Sequence, residues 1–393
     1  MSEVFDASGD ARSFADLPAS LVEEVLNGAT QVGVHLLEDF LRITQEKANL
    51  RKKLDNARLV GHESDLPQCH IPTTCAADGS FAIERLLAVD LAAAAAVAIE
   101  GLTPPSETRY WDVPHHRTFI HAEVHHEGTE TVLRAVMLGY ELELATAAPH
   151  DLVLLDMTLA LPVIHFNQAF AKTAAITKEL GGGAITCVNE FQQRGLQFLT
   201  HYCDILKCSR SDKAYAGLPK YATRREIGEK VGWSANYDDR SLLTMLLRPG
   251  EFTRPQPLLF DQSFHLHTTG ASGTEADALK LVATEIVNLL NTVKVIYYRP
   301  HGYLPALRVE VSPAVADNPH RLAMVLRGLK EQSIVASMLE PYPIYMADRM
   351  AKSLAKALPA FRQVATQHIS TEYEGDIGEV FFAMHGYRSE SGR

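Results

Sequence analysis

The chain has 393 residues, 46% of them hydrophobic and 22% charged, which predicts a soluble globular protein with a large core. Its net charge of -11 excludes a protein that binds nucleic acid through its overall charge, so DNA binding would need a local basic groove or a basic partner. The longest stretch without Asp, Glu, Lys or Arg, residues 157–171, is too short to span a membrane, and the acidic amino terminus is unlike a signal peptide. The five cysteines show neither metal spacing nor a disulfide pattern, which predicts a cytosolic location.

The first predicted element is a long amphipathic helix. Apolar residues recur at helical spacing from Val22 to Leu41, where Gly28 or Gly33 could break the helix, and the helix becomes heavily charged from Glu46 to Arg58. This pattern predicts an N-terminal helical arm over residues 1–65, followed by one domain over residues 66–393. Such an arm could dock on another subunit or pack on its own domain.

Two apolar stretches each carry one aspartate. Residues 73–92 form two apolar runs separated by a turn-like Asp78-Gly-Ser, and residues 151–159 contain a short strand that ends at Asp156. Strands that present carboxylates at one edge of a sheet can bring them together on Mg²⁺ or Mn²⁺, which prefer oxygen ligands. The alternative is that each aspartate only caps a turn.

A histidine-rich strand lies between these stretches. Residues 118–124 alternate like a strand and are flanked by His115, His116, His125 and His126. Two His-His pairs do not give tetrahedral spacing by themselves, so structural or surface roles are favoured over a zinc site.

Residues 134–148 have helical periodicity and include Glu141 and Glu143. Side chains two positions apart point about 200° apart on a helix, so only one of these carboxylates can face a site at the sheet edge. The alternative is a solvated glutamate pair.

The later part of the chain offers a cation and one more carboxylate. The run Gly181–Gly183 is predicted as a helix stop, since no Lys-Ser/Thr follows it. Residues 204–209 are predicted as a short strand with Lys207 near its end, where the cation could orient a phosphate or simply lie on the surface. A proline-marked helix that begins near residue 341 carries Asp348 in its first turns.

In chain order, these pieces resemble the NurA nuclease family, whose members have a ribonuclease H-like fold. The resemblance covers roughly residues 70–355 and rests on the order of short motifs, none of which is specific alone. The matching motifs are Ala77–Ser80, Glu141–Ala145, Leu154–Leu159, Leu206–Ser209, Asp239–Leu243, Leu307–Val311 and Tyr342–Arg349.

The resemblance implies an α/β protein with a ribonuclease H-like mixed sheet flanked by helices. It further implies a Mn²⁺- or Mg²⁺-dependent deoxyribonuclease of the 5′–3′ exonuclease and single-strand endonuclease type. Such a nuclease would be a homodimer that works with a hexameric HerA-type ATPase in DNA-end processing or in defence against foreign DNA.

Carried over motif by motif, Asp78, Glu141, Asp156 and Asp348 would be metal ligands and Lys207 would lie beside the cleaved phosphate. The sequence departs from the family twice, because the family tends to have Asp-Gly-Ser where Asp156-Met-Thr stands, and often has His where Asp348 stands. The expected chemistry is two-metal hydrolysis, with one ion on Asp78 and Asp156 and a second shared by Asp78 with Glu141 or Asp348.

Two other functions remain compatible with the sequence. An actin-like phosphotransferase would use the two aspartate turns as phosphate loops and would need a nucleotide pocket. A non-catalytic adaptor would dock on a ring ATPase through its N-terminal arm and keep a degenerate site.

Overall fold

The computed structural model describes residues 17–103, 106–181, 183–220, 224–259, 263–268 and 274–385. Within these ranges the helices are α1 (Ala19–Asn56), α2 (Thr129–Ala147), α3 (Leu161–Leu180), α4 (Thr186–Lys207), α5 (Glu226–Val231), α6 (Asp239–Leu246), α7 (Thr274–Leu290), α8 (Pro313–Ala316), α9 (Pro319–Gln332), α10 (Tyr342–Glu372) and α11 (Ile377–Ala383). The strands are β1 (Val60–His62), β2 (Thr74–Arg85), β3 (Asp90–Glu100), β4 (His115–Glu123), β5 (Leu152–Leu155), β6 (Ala214–Gly217), β7 (Glu251–Thr253), β8 (Gln256–Pro257), β9 (Lys294–Tyr298) and β10 (Leu307–Val311). None of the helices in these ranges has the length and apolar character that a membrane span requires.

The chain forms two compact units, one ending at Arg58 and the other beginning at Leu59. The first contains α1, a helix of 38 residues that confirms the helical spacing and continues without a break through Gly28 and Gly33. The second begins before residue 66, the predicted boundary, because β1 pairs with β7 and the Leu59 carbonyl accepts a hydrogen bond from the Arg254 N–H. Strand pairing of this kind joins segments far apart in the sequence, and the local pattern did not indicate it.

The second unit is built on one mixed sheet with the strand order β1-β7-β9-β10-β6-β5-β2-β3-β4, and β8 pairs with β9. Strands β2, β3 and β4 form an antiparallel meander. After α2 the chain adds β5 parallel to β2, and after α3 and α4 it adds β6 parallel to β5. This arrangement is the ribonuclease H-like topology, and it confirms the predicted fold class.

Two helices cover opposite faces of β2 and β3. A Cβ at Gly79 would lie 2.7 Å from Met137 Cγ of α2, whereas the next residue, Ser80, donates a hydrogen bond to the Ala351 carbonyl of α10. Successive side chains of a strand point to opposite faces, so α2 and α10 lie on opposite sides of the sheet. The alanine-rich run Ala92–Ala98 of β3 is buried throughout, and its small side chains let both helices approach closely.

One predicted strand is wrong. Residues 204–207 end α4, and Cys208 then closes this helix in a left-handed conformation with φ of 45°. The strand β6 follows at Ala214–Gly217 instead. Periodicity cannot separate a short apolar strand from the buried end of a helix, which explains the error.

The predicted helix stop agrees with the structure. Helix α3 ends at Leu180, and Gly181 follows with φ of 87°, a left-handed conformation that favours glycine. Gly182 lies outside the described residues.

Candidate metal centre

Asp78 and Asp156 are neighbours because of the strand register. Ala77 of β2 lies opposite Leu155 of β5 in a parallel pair, so the two aspartates are the next residues along adjacent strands. Adjacent strands lie about 4.8 Å apart, which is close enough for two carboxylates to share one ion. The turn predicted at Asp78 is wrong, because β2 continues without a break through this position and pairs with β3 up to Arg85.

Helix α10 adds the third carboxylate, Asp348. The neighbouring Ala347 and Ala351 are buried against Val97 and Ile99 of β3, and these small side chains hold the first turns of the helix close to the sheet. One carboxylate oxygen each from Asp78, Asp156 and Asp348 lies within 4.8 Å of the others. The structure therefore brings three of the predicted ligands together.

The two glutamates of α2 point in different directions, as the helical angle predicts. Glu141 is 2% exposed and is influenced by the negative charges of Asp78 and Asp156. Glu143 instead accepts hydrogen bonds from Arg117 and Arg194, at 3.1 and 2.8 Å. Only Glu141 is thus available to the carboxylate cluster.

We expect Glu141→Gln to weaken Mn²⁺ binding by about 10-fold or more, because a neutral amide replaces an ionised ligand. The matched variant Glu143→Gln removes two partly exposed ion pairs and should change the affinity by less than about twofold. Isothermal titration of both variants with Mn²⁺ makes the comparison. Equal, small losses would show that α2 does not reach the site.

The carboxylates have strongly perturbed pKa values. Burial, followed by the charges of Asp156 and Asp348, raises the pKa of Asp78 to about 7. Burial raises the pKa of Asp156 to about 6, against the opposing effect of Lys220. Burial together with Asp78 and Asp156 raises the pKa of Glu141 well above its usual value. A bound cation would relieve this repulsion.

Lys220, not the predicted Lys207, lies among the carboxylates of this site. Lys220 Nζ lies 2.6 Å from Asp156 Oδ2, 2.9 Å from Glu340 Oε2 and 3.6 Å from Asp348 Oδ1. Lys207 ends α4 and pairs with Glu285 at 2.9 Å.

The parallel strands explain why Lys207 lies elsewhere. Ala214 and Gly217 of β6 pair with Leu152 and Leu155 of β5. Lys207 comes before the start of β6, at the edge of the sheet away from Asp156. Lys220 comes after the end of β6, at the same edge as Asp156.

The local sequence indicates a site role for neither Lys220 nor Glu340. The position of Lys220, three residues after a strand parallel to the Asp156 strand, would have identified it had β6 been recognised. Glu340 stands directly before the proline-marked start of α10, eight residues ahead of Asp348. No local pattern distinguishes it from a solvated glutamate.

A buried ion-pair network supports the turn after Asp156. Thr158 Oγ1 and the Leu159 N–H donate to Glu310 Oε2 at 2.7 and 2.9 Å. Arg308 Nε donates to Glu310 Oε1 at 3.0 Å, and its terminal nitrogens bind both oxygens of Glu226 at 2.8 Å. The motif Asp156-Met-Thr is thus fixed from β10, which lies two strands away from β5 in the sheet.

The donor set suits a hard divalent cation such as Mg²⁺ or Mn²⁺. All of the converging groups are carboxylates, which are the ligands these ions prefer. In addition, Glu141 Oε1 is buried and has no hydrogen-bond partner among the described residues, although a buried carboxyl oxygen normally has one. The cluster can therefore hold a divalent ion, with Asp78, Asp156 and Asp348 as ligands and Glu141 beside them.

Three of the four histidines around β4 have other partners. His115 stacks on Trp111 with ring centroids 4.3 Å apart, and His125 Nδ1 lies 2.8 Å from Asp90 Oδ1. His126 contacts a glutamate of α3 at 3.4 Å. Among the described residues, the group with metal-binding geometry is the aspartate cluster.

Fold and site together define a class, an α/β protein with a ribonuclease H-like sheet and a carboxylate centre able to hold a divalent metal. Among solved structures, this chain is similar to the NurA nuclease from Sulfolobus solfataricus. The TM-score is 0.53 and the sequence identity 13%, over 86% of this chain and 98% of the NurA chain. A NurA structure with manganese gives a TM-score of 0.46 at 12% identity over 86% and 99% of the two chains. No protein-family model and no curated protein matches the sequence. The first structure confirms, at the level of the fold, the resemblance to NurA.

Proposed function

We propose that the protein is a divalent-metal-dependent DNA nuclease that hydrolyses phosphodiester bonds. The observation that carries the proposal is the convergence of Asp78, Asp156 and Asp348 at one edge of a ribonuclease H-like sheet. The NurA-like fold supports it, and the proposed activity is of the 5′–3′ exonuclease and single-strand endonuclease type.

The chain's own residues have distinct parts in this chemistry. Asp78, Asp156, Glu141 and Asp348 would hold Mn²⁺ or Mg²⁺, which when bound supplies Lewis acidity that activates water and offsets charge on the phosphate. The strands β2 and β5 fix the first two carboxylates in relation to each other, so little reorganisation accompanies the reaction. Lys220 contributes a positive charge at the same edge.

The decisive experiment incubates the full chain with single- and double-stranded DNA, labelled at either end, in Mn²⁺, Mg²⁺ or EDTA. A parallel reaction measures ATP hydrolysis. We expect DNA cleavage that requires the metal, with no metal-dependent release of phosphate from ATP. Turnover of ATP alone would favour the phosphotransferase, and no turnover of either substrate would favour the adaptor.

We also propose that the nuclease is a homodimer and works with a hexameric HerA-type ATPase, which would supply the basic DNA channel that a chain with a net charge of -11 lacks. Helix α1 supports this, because Leu36, Leu37, Phe40 and Leu41 are 53–62% exposed and form a continuous apolar stripe. Exposed apolar surface of this extent is typical of an interaction site.

Placing charge on this stripe is expected to disrupt assembly. The full-length variant Leu36→Glu/Phe40→Glu should lose dimerisation or co-elution with the ATPase, because carboxylates would have to be desolvated in the interface. The matched control Gln31→Glu/His35→Glu adds the same charge to the opposite side of the helix and should assemble normally. Light scattering and co-elution provide the measurements, and unchanged assembly of the first variant would place the docking surface elsewhere.

A further inference from the structure

Lys220 lies among carboxylates in a way that an ordinary surface lysine does not. Its ammonium contacts Asp156, Glu340 and Asp348, while only 25% of the side chain is exposed. Surface ion pairs usually join two solvated side chains and are readily exchanged with water. Here one cation is surrounded by three carboxylates from two segments of the fold, the end of β5 and the start of α10.

The backbone around Lys220 is fixed as well. The Leu218 N–H donates to the Leu155 carbonyl at 2.9 Å, which extends the β5–β6 pairing toward Lys220. The Lys220 carbonyl accepts a hydrogen bond from Arg240, whose Nε donates to the Ala306 carbonyl at 3.1 Å. These main-chain hydrogen bonds fix the backbone of Lys220 and so help to keep its ammonium at the site.

The ammonium occupies the space between Asp156 and Asp348. A divalent ion that bridged Asp156 Oδ2 and Asp348 Oδ1, the two oxygens nearest the ammonium, would need Mg²⁺-like oxygen distances of about 2.1 Å. Lys220 Nζ is already 2.6 Å from Asp156 Oδ2, so a bridging ion and the ammonium would be in direct contact with like charge. Both cannot occupy this space.

We propose that Lys220 takes the place of a second divalent ion, so that the chain binds a single ion and the lysine ammonium neutralises the phosphate beside it. The ion would be held by Asp78 and by the oxygens of Asp156 and Asp348 that face away from Lys220, with Glu141 next to them. Glu340 is a positioning residue that holds the ammonium in place. This inference deepens the proposed nuclease function and rests on it for the nature of the substrate.

The site leaves a route for a phosphate to reach the ammonium. A cavity of about 280 Å³ opens beside the cluster and is lined by Lys220 and Glu340 together with apolar side chains that include Leu307 and Ile344. A nonbridging phosphate oxygen that enters from this side would replace the Glu340 carboxylate as the partner of Lys220. No rearrangement of the strands is needed.

The test counts the Mn²⁺ ions bound per chain by electron paramagnetic resonance of the free ion, without any substrate. The wild-type chain should bind one ion, and Lys220→Met should bind two, since the space between Asp156 and Asp348 becomes available. Lys352→Met is the matched control, because Lys352 also pairs with Asp348, at 2.7 Å, yet its side chain is 67% exposed. It should still bind one ion.

Two ions on the wild-type chain would overturn the proposal whatever the variants do, and so would a folded Lys220→Met chain that binds only one. In a second readout, with Mn²⁺ just saturating the first site, Lys220→Met should cleave DNA about 100-fold more slowly. Higher Mn²⁺ should restore much of that rate.

The variant Glu340→Gln tests the positioning role of Glu340 while leaving the charge of Lys220 in place. It should slow cleavage at subsaturating DNA more than at saturating DNA, because bound phosphate itself fixes the ammonium, and equal slowing at both would contradict the positioning role. A chain that binds one ion but cleaves no DNA would refute the nuclease proposal while leaving the ion count intact.

Discussion

Replacing Asp78 or Asp156 with asparagine is expected to reduce metal-dependent DNA cleavage by about 100-fold or more. Each substitution removes one ionised ligand from a cluster whose carboxylate oxygens lie within 4.8 Å of one another. Residues that only support metal ligands change affinity or activity by about 10- to 100-fold, so the loss of a direct ligand should have a larger effect. The measurement is single-turnover cleavage at saturating Mn²⁺. Asp151→Asn, which alters the residue before β5 at its other end, is the matched control and should retain activity. Near-normal cleavage by either site variant would refute the assignment.

The same Asp78 variant should be more stable than the parent when metal is absent. Burial and the nearby carboxylates raise the pKa of Asp78 from 3.8 to about 7, so the folded chain keeps this proton over a pH range in which the unfolded chain has lost it. The free energy of unfolding therefore falls as pH rises between those two values. Asparagine does not titrate, and at about 1.4 kcal/mol per pKa unit the variant should gain up to about 4 kcal/mol above pH 7 and almost nothing near pH 4. Urea unfolding in EDTA tests this, and parallel pH profiles of the two proteins would contradict it.

Arg308→Met is expected to cost about 3–5 kcal/mol of stability, the effect of breaking a buried ion pair from one side. The arginine is 2% exposed and binds Glu226 and Glu310, so its removal leaves two buried carboxylates without their cation. The control Arg327→Met breaks an exposed pair with Glu331 and should cost less than about 1 kcal/mol.

The double variant Arg308→Met/Glu226→Gln should recover part of the loss, because one of the unpaired charges is removed. Chemical denaturation measures all of these variants. A loss below about 1 kcal/mol for Arg308→Met would show that the network does not stabilise the fold. Mn²⁺ titration of the Arg308→Met variant would then show whether metal binding depends on the contacts between Glu310 and the turn after Asp156.

Much of the site could be predicted because its ligands lie on elements with clear local signals. Asp78 and Asp156 interrupt or end apolar runs, and the helical angle separates Glu141 from Glu143 without any structure. Sequence order also indicated Asp348, although its place depends on packing. These four residues were found because each follows from the geometry of its own element or from a motif.

Lys220 could not be found in the same way, because its position depends on a pairing between distant strands. The strand before it has only four residues, Ala-Tyr-Ala-Gly, whereas the more apolar run before Lys207 suggested a strand and is the end of α4. Glu340 is likewise placed by the docking of α10. Local patterns thus identified the carboxylates but not the cation that they surround.

The alanine-rich strand β3 has a consequence for how the site changes over evolutionary time. Because α2 and α10 lie on its two faces, the thickness of this strand sets the separation between the helix that carries Glu141 and the helix that carries Asp348. A methyl group added on β3 would move one helix outward and spread the carboxylates while leaving each of them unchanged. Substitutions in β3 could therefore change the ion affinity of the centre, although these residues contact neither the ion nor the substrate. Selection for ion affinity would then act on β3 as well as on the ligands.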